Sequence, residues 1–265
     1  MEKITSKDNR WIKEFAKLSS LKSHRDDTGL FALESVKLLR EAFQSGIRLS
    51  AVLVTERCLE QHEEMLTPIL AGSPSFLIDS DLEKKLSLQK NPQGIYGIGV
   101  KLDKTLSLDT IKTNGKYVML CDLQDAGNVG TIVRTAEALG ISGIVTTKGT
   151  CDFYNPKVIR GSMGSVFRMP FLVAENAGDF LIELSRCGVQ TCASVLDSDA
   201  VSLDEMEFRE PSVLLIGNEG NGLPQSVADV CSRKVTIRMA GKTESLNASM
   251  AACILLWEMT KRSGI

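Results

Sequence analysis

Hydrophobic and polar positions follow two periods along this chain, and the switches between them mark out strands and helices. Trp11, Ile12, Phe15 and Leu18 recur at helical spacing, which predicts an amphipathic helix over 8–21. Short apolar runs at 30–33, 50–54, 75–78 and 95–100 read as strands, with helices at 35–43 and 59–70 between them. Residues 101–115, rich in Asp, Lys, Thr, Ser and Asn, read as a linker holding a short helical turn. From 116 the alternation is stronger. Strands are predicted at 117–121, 144–147, 171–173, 191–195, 213–216 and 234–238, with helices at 128–139, 155–163, 179–186, 225–231 and 247–261. Strands alternating with helices call for an α/β fold with a mostly parallel sheet covered on both faces. The expected layout is a smaller α/β domain over 1–100, a linker over 101–115 and a larger α/β domain over 116–265. The chain has no internal repeat and no low-complexity tract.

Composition narrows the class. A length of 265 residues suits about two domains, and 43% hydrophobic with 24% charged residues is ordinary for a soluble globular protein. The sequence has no uninterrupted apolar run of bilayer length, and its first residues lack the apolar core of a signal peptide. Seven cysteines, without a C-x-x-C pair, argue against a disulfide framework and against a zinc site. Cys121, Cys187, Cys192 and Cys253 lie in apolar or strand-like contexts and are expected as buried reduced thiols. The expectation is a cytoplasmic protein with no membrane segment and no metal. The net charge of -2 does not advertise nucleic acid. Its distribution is more telling, because the first 25 residues carry Lys3, Lys7, Arg10, Lys13, Lys17, Lys22 and Arg25 against Glu2, Asp8 and Glu14. Such a segment is either a basic arm for phosphates or a solvated helix face.

The densest chemistry lies late in the chain. The apolar run 213–216 enters a turn, Gly217-Asn-Glu-Gly-Asn-Gly-Leu-Pro224, with three glycines around Glu219. A second polar turn follows the strand at 234–238, through Gly241, Ser245 and Asn247. Two such turns at neighbouring strand ends can line a pocket with main-chain N–H and C=O groups, because glycine lets a ligand approach the backbone closely. Dinucleotide folds place their glycine turn after the first strand, so the late position points elsewhere. Asn128 reads equally as a helix cap or as part of a pocket, and Arg134 would ordinarily be a solvated or ion-paired arginine. Ser245 and Asn247 can cap the last helix. Gly161 and Gly164 can serve close packing alone. The two histidines, His24 and His62, lie far from these turns, which disfavours a histidine base. Neither a phosphate-loop lysine–serine pair nor a nucleophile-elbow serine follows any glycine turn.

Three peptides in order carry a resemblance: Asn128-Val-Gly-Thr-Ile-Val-Arg-Thr-Ala-Glu-Ala-Leu-Gly140, Ile216-Gly-Asn-Glu-Gly-Asn-Gly-Leu-Pro224 and Ile237-Arg-Met-Ala-Gly-Lys-Thr-Glu-Ser-Leu-Asn-Ala-Ser249. Together, over 116–265, they resemble the motifs of the SpoU/TrmH family of RNA ribose 2′-O-methyltransferases, within the SPOUT superfamily. Ile4-Thr-Ser6, Asn9, Lys22 and Phe31-Ala-Leu-Glu34 resemble the substrate-binding domain, related to ribosomal-protein-like RNA-binding folds, that often precedes it. Ser35 stands where many relatives have glycine. The resemblance implies a trefoil knot near the C-terminus, S-adenosylmethionine (AdoMet) as cofactor, an RNA substrate and a homodimer whose interface adjoins the active site. By motif it assigns Ile216, Gly217, Ile237, Met239 and Leu246 to AdoMet, and Asn128, Arg134, Glu219, Ser245 and Asn247 to catalysis. The two-domain layout favours ribosomal RNA over tRNA. A non-catalytic RNA-binding or ribosome-assembly protein of the same fold is the competing expectation.

Overall fold

The computed structural model describes residues 1–102 and 105–261. They form two compact units: Met1–Asp103 with Asp152–Phe167, and Lys104–Cys151 with Arg168–Ile265.

In chain order the first unit holds β1 (Glu2–Ile4), α1 (Arg10–Ser20), α2 (Lys22–Thr28), β2 (Leu30–Glu34), α3 (Val36–Gln44), β3 (Leu49–Val54), α4 (Glu56–Ala71), β4 (Ser75–Ile78), α5 (Ser80–Leu86) and β5 (Ile95–Val100). Its sheet has the order β1-β4-β3-β5-β2, with β5 antiparallel to both neighbours. The apolar stripe Ile12, Phe15 and Leu18 seats α1 on this sheet, with Phe15 edge-on to Tyr96 at 5.3 Å between ring centroids. Asn9 starts that helix by accepting from the Trp11 N–H at 2.9 Å. The basic N-terminal stretch is therefore no free arm: β1 pairs in parallel with β4, and α1 is docked. Arg25 leaves the basic surface altogether. It is buried, bonding Asp152 at 2.8 Å and the Leu18 carbonyl at 2.7 Å.

The second unit follows with α6 (Leu108–Thr113), β6 (Lys116–Leu120), α7 (Ala126–Ala138) and β7 (Gly143–Thr147). After α8 (Pro156–Ser162), which belongs to the first unit, come β8 (Phe171–Ala174), α9 (Ala177–Arg186), β9 (Gln190–Ser194), β10 (Val201–Ser202), β11 (Ser212–Ile216), α10 (Gln225–Ala228), β12 (Arg233–Thr236) and α11 (Ala248–Lys261). The sheet is parallel throughout, in the order β10-β12-β9-β11-β6-β7-β8. Its centre, β6 and β11, is buried along its whole length, as continuous apolar runs in a doubly covered sheet should be. Tyr117, Met119, Val213 and Leu215 pack with Ile111, Leu181 and Leu184 on one face. Their alternates Val118, Leu120 and Leu214 point to the other. The helices α7 and α11 pack on each other.

Two expectations change here. Of the cysteines expected buried, Cys187 is exposed at the end of α9 and Cys253 is half-buried, while Cys121 and Cys192 are buried and burial pushes both thiols up to about 12. The last strand stops at Thr236, where its pairing with the two-residue β10 ends, so Ile237 to Met239 run on as loop.

Candidate active site

The register of β6 against β11, Leu120 opposite Ile216, brings the loops after these strands side by side. The β11 loop closes on itself. The Asn218 N–H donates to the Gly222 carbonyl at 3.0 Å, and the Gly222 N–H returns to the Asn218 carbonyl at 2.9 Å. The Asn218 Oδ1 accepts from the Gly220 and Asn221 N–H groups at 2.9 and 3.2 Å. So tight a loop leaves no room at its root: a Cβ on Gly217 would lie 2.3 Å from the Gly222 carbonyl carbon and 2.4 Å from the Leu223 nitrogen.

Side chains then tie this loop to the one after β6. The Asn218 amide donates to the Asp122 carbonyl at 2.8 Å. Asp122 sits in the left-handed region, at φ 54, held by a reciprocal pair with Thr147. Its N–H donates to the threonine Oγ1 at 2.8 Å, and the hydroxyl donates to its carboxylate at 2.6 Å. Glu219 completes the clasp by accepting from the Asp125 N–H at 3.0 Å, the Gln124 N–H at 3.2 Å and the Asn128 side-chain amide at 3.1 Å. Burial raises the Glu219 carboxyl, but the Asn128 amide and the main-chain N–H groups together outweigh it and hold it below the usual carboxylate range. The cap of α7 is Asp125, not Asn128: its carboxylate accepts the Asn128 N–H at 2.8 Å. Freed from capping, the Asn128 amide faces Glu219 from a buried position.

A cavity of about 480 Å³ opens on the other side of the β11 loop, a volume in the range of small-molecule sites. Ile216, Gly217, Glu219, Ile237, Met239, Ser245 and Leu246 all line it. Asn247 lies beside these residues and caps α11, its Oδ1 accepting from the Ser249 and Met250 N–H groups at 3.0 and 3.3 Å. Arg134 is not brought to the cavity. It is exposed on α7, six residues beyond Asn128. The sequence reading missed the loop after β9, whose Leu196 and Asp197 also line the cavity. β9 is the sheet neighbour of β11, so its C-terminal end had to lie there. The signal available was strand order, which no residue type announces. Lys234 joins the same wall, bonding Asp229 at 3.0 Å and reaching Asp197 at 3.5 Å.

The donor set fits AdoMet. The turns present main chain, Leu196 and Leu246 leave apolar surface exposed beside it, and Asp197 and Glu219 supply acceptors on the walls. Among the described residues no cluster of His, Cys, Asp and Glu could hold a metal ion, and no helix is long and apolar enough to cross a membrane.

Comparison with known proteins identifies the family. The chain is similar over 98% of its length to the 23S rRNA (guanosine(2553)-2'-O)-methyltransferase RlmP of Bacillus subtilis, at 28% identity over 259 residues and 99% of that protein. It is similar in structure to an AdoMet-bound rRNA methyltransferase from Sinorhizobium meliloti, with a TM-score of 0.86, 30% identity and coverage of 100% of this chain and 99% of that one. The AdoMet complex of the SpoU methyltransferase AviRb from Streptomyces viridochromogenes gives a TM-score of 0.82 at 25% identity, over 96% of this chain and 98% of that one. The MRM3-like substrate binding domain matches residues 9–97, and the SpoU rRNA Methylase family matches residues 115–257. With its β11 loop clasped to the start of α7 above a cavity built from both late turns, the chain belongs to the SpoU rRNA methylase family.

Proposed function

We propose that this enzyme transfers the methyl group of AdoMet to a ribose 2′-hydroxyl of ribosomal RNA in the cytoplasm. The observation that carries the reading is the joining of the late turns: residues from both line one cavity, and Glu219 fastens its rim to Asn128. That the 2′-O-methyltransferase RlmP is similar over almost its whole length supports ribosomal RNA as the substrate. Residues 1–100 are assigned to RNA binding and 116–265 to methyl transfer, joined by 101–115.

Gly217, Ile216, Ile237, Met239 and Leu246 would hold the cofactor, and AdoMet bound there supplies an electrophilic methyl group. The protein's own task is to place the 2′-hydroxyl in line and ease loss of its proton. Glu219 is poorly suited to take that proton. Its oxygens already accept four donors, counting the Asn218 amide at 3.5 Å, and its carboxyl is held low. Its role is to fix Asn128 and the rim. Arg134 is assigned to the substrate oxygen. A guanidinium stays protonated far above neutral pH, so it stabilises the alkoxide developing on the ribose more readily than it acts as a base. Ser245 and Asn247 orient the nucleotide.

The enzyme is read as a homodimer formed through α11. Met250, Ile254 and Trp257 stand 57%, 41% and 57% exposed on that helix, one apolar stripe that a second copy would cover. Arg134 lies beside it, since its neighbour Thr135 contacts Cys253 of α11 at 3.1 Å. A trefoil-knotted path through the late turns is part of the same reading.

The test is transfer of tritium from labelled AdoMet to protein-free ribosomal RNA from cells lacking the gene, with the product mapped for ribose methylation. No transfer, or label on a base, overturns the reading. Arg134→Ala should lower transfer about 10³-fold, on the scale of losing a key transition-state donor, while calorimetry shows AdoMet affinity within about twofold of wild type.

A further inference from the structure

We propose that the solvent face of α1 is an RNA-backbone binding surface, a site separate from the cavity of the second unit. The inference rests on the reading of the protein as an RNA methyltransferase and names a part of its surface that meets the substrate.

The geometry follows from helical spacing. At about 100° per residue, Ile12, Phe15 and Leu18 occupy one arc of α1, and that arc is buried. Arg10, Lys13 and Lys17 fall within about 60° of one another on the opposite side. All three are exposed. They form a row about 10 Å long, the span of a few consecutive phosphates. Lys85 of α5, the helix packed beside α1, is near enough to act on the Asp8 carboxylate and so extends the row sideways.

The nearby acids do not cancel the row. Glu14 is turned to His24, at 2.9 Å and half-buried. Asp8 bonds Lys13 at 2.8 Å, but both are more than half exposed, and a pair open to water exchanges readily for a phosphate. Arg10 is held ready: its guanidinium lies 4.5 Å from the centroid of the Trp11 ring, which is itself braced on Phe76 at 6.0 Å. The row contrasts with cations that serve the fold. Arg25 is buried against Asp152, and Lys22 and Lys101 both bond Asp26. A row of exposed cations on a rigid helix, with only Lys13 in an ion pair and that one open to water, suits a regular polyanion, whose affinity comes from release of counterions and needs no base contact.

The test compares wild type with the triple variant Arg10→Gln, Lys13→Gln, Lys17→Gln, using protein-free ribosomal RNA from cells lacking the gene. The triple variant should raise KM for RNA about 30-fold at physiological salt. Its plot of log affinity against log salt should flatten by about 2, since each phosphate contact contributes about 0.7 to 0.9 to the slope. The kcat at saturating RNA and the Kd for AdoMet should stay within twofold. Restoring charge with Lys13→Arg and Lys17→Arg should keep wild-type KM. Should the triple variant fold poorly, Lys17→Gln alone should still raise KM about threefold and flatten the slope by one contact. An active wild type with KM and salt slope unchanged in the variants overturns this surface alone, whereas an inactive wild type overturns the functional reading beneath it. Polyglutamate that displaces RNA equally well at matched charge would also overturn it, by showing a general affinity for acidic chains.

Discussion

Each unit contains a glutamate that fastens a distant loop, and the two differ in what they leave open. Glu34, at the end of β2, accepts from the Ser87 hydroxyl at 2.7 Å and the Leu88 N–H at 2.9 Å, and is only 7% exposed. Glu219, three residues past β11, accepts from two N–H groups and an amide across a gap of more than 90 residues, but it is exposed and lines a cavity. The chemistry of the clasp is similar in both. One is sealed into the fold, while the other holds a rim in place beside a volume large enough for a ligand. A carboxylate's hydrogen bonds therefore say little about function until the space around it is known.

The comparison is broken first at Glu219. Glu219→Gln should keep the fold but cut methyl transfer about 10²-fold, because an amide cannot accept every donor that the carboxylate does. Its pH behaviour sharpens the point. The folded carboxyl lies below its unfolded value, so its contribution is complete above the ordinary range near 4.3 and is lost as pH falls through the depressed value. AdoMet binding followed by calorimetry should hold through mildly acidic pH in wild type and fail only once the pH falls below the ordinary carboxylate range. Gly217→Ala tests the rim by sterics alone. The added Cβ meets backbone, not a side chain that can swing away, so the loop must open. AdoMet affinity should fall about 100-fold, with near-native circular dichroism, a loss of about 2.7 kcal/mol.

The counterpart substitution, Glu34→Gln, should do the reverse. Leaving buried donors poorly matched costs about 1–3 kcal/mol, read as a lower urea midpoint, with kcat unchanged. The smallest effect lies one residue on. Ser35 holds φ 126 and ψ 149, a conformation nearly reserved for glycine, while its hydroxyl accepts the Leu38 N–H at 3.3 Å to start α3. Ser35→Gly should relieve strain worth about 1–3 kcal/mol and lose only a few tenths as a cap. The net gain of about 1 kcal/mol would appear as a higher urea midpoint. An unchanged or lower midpoint would mean the serine cap outweighs the strain.

Apolar patterning made most strands legible, because β2, β3, β5, β6, β9 and β11 are largely buried runs whose ends are marked by polar turns. The elements it missed are short or polar. Within α2, the sequence Lys-Ser-His-Arg-Asp-Asp-Thr offers no apolar period, and the helix is fixed instead by the buried Arg25 and by Gly29 at its end. β1 and β10 are three and two residues long. The site was legible where motifs carried it: both late turns reach the cavity. Leu196, Asp197 and Lys234 were not, since their membership depends on β9 folding beside β11 and β12 beside β9. The choice of Asp125 over Asn128 as cap was also hidden, because it rests on Glu219, 94 residues away from Asp125.

One helix, α11, has two audiences. Ala248, Ala251 and Leu255 line the cavity, while Met250, Ile254 and Trp257 are exposed on a second face, about 125° around the helix. A rigid rod read on both flanks cannot shift for one without shifting for the other. In the proposed dimer, filling the pocket and pairing of subunits become linked equilibria, and whatever free energy the ligand lends to association, association must lend back to the ligand.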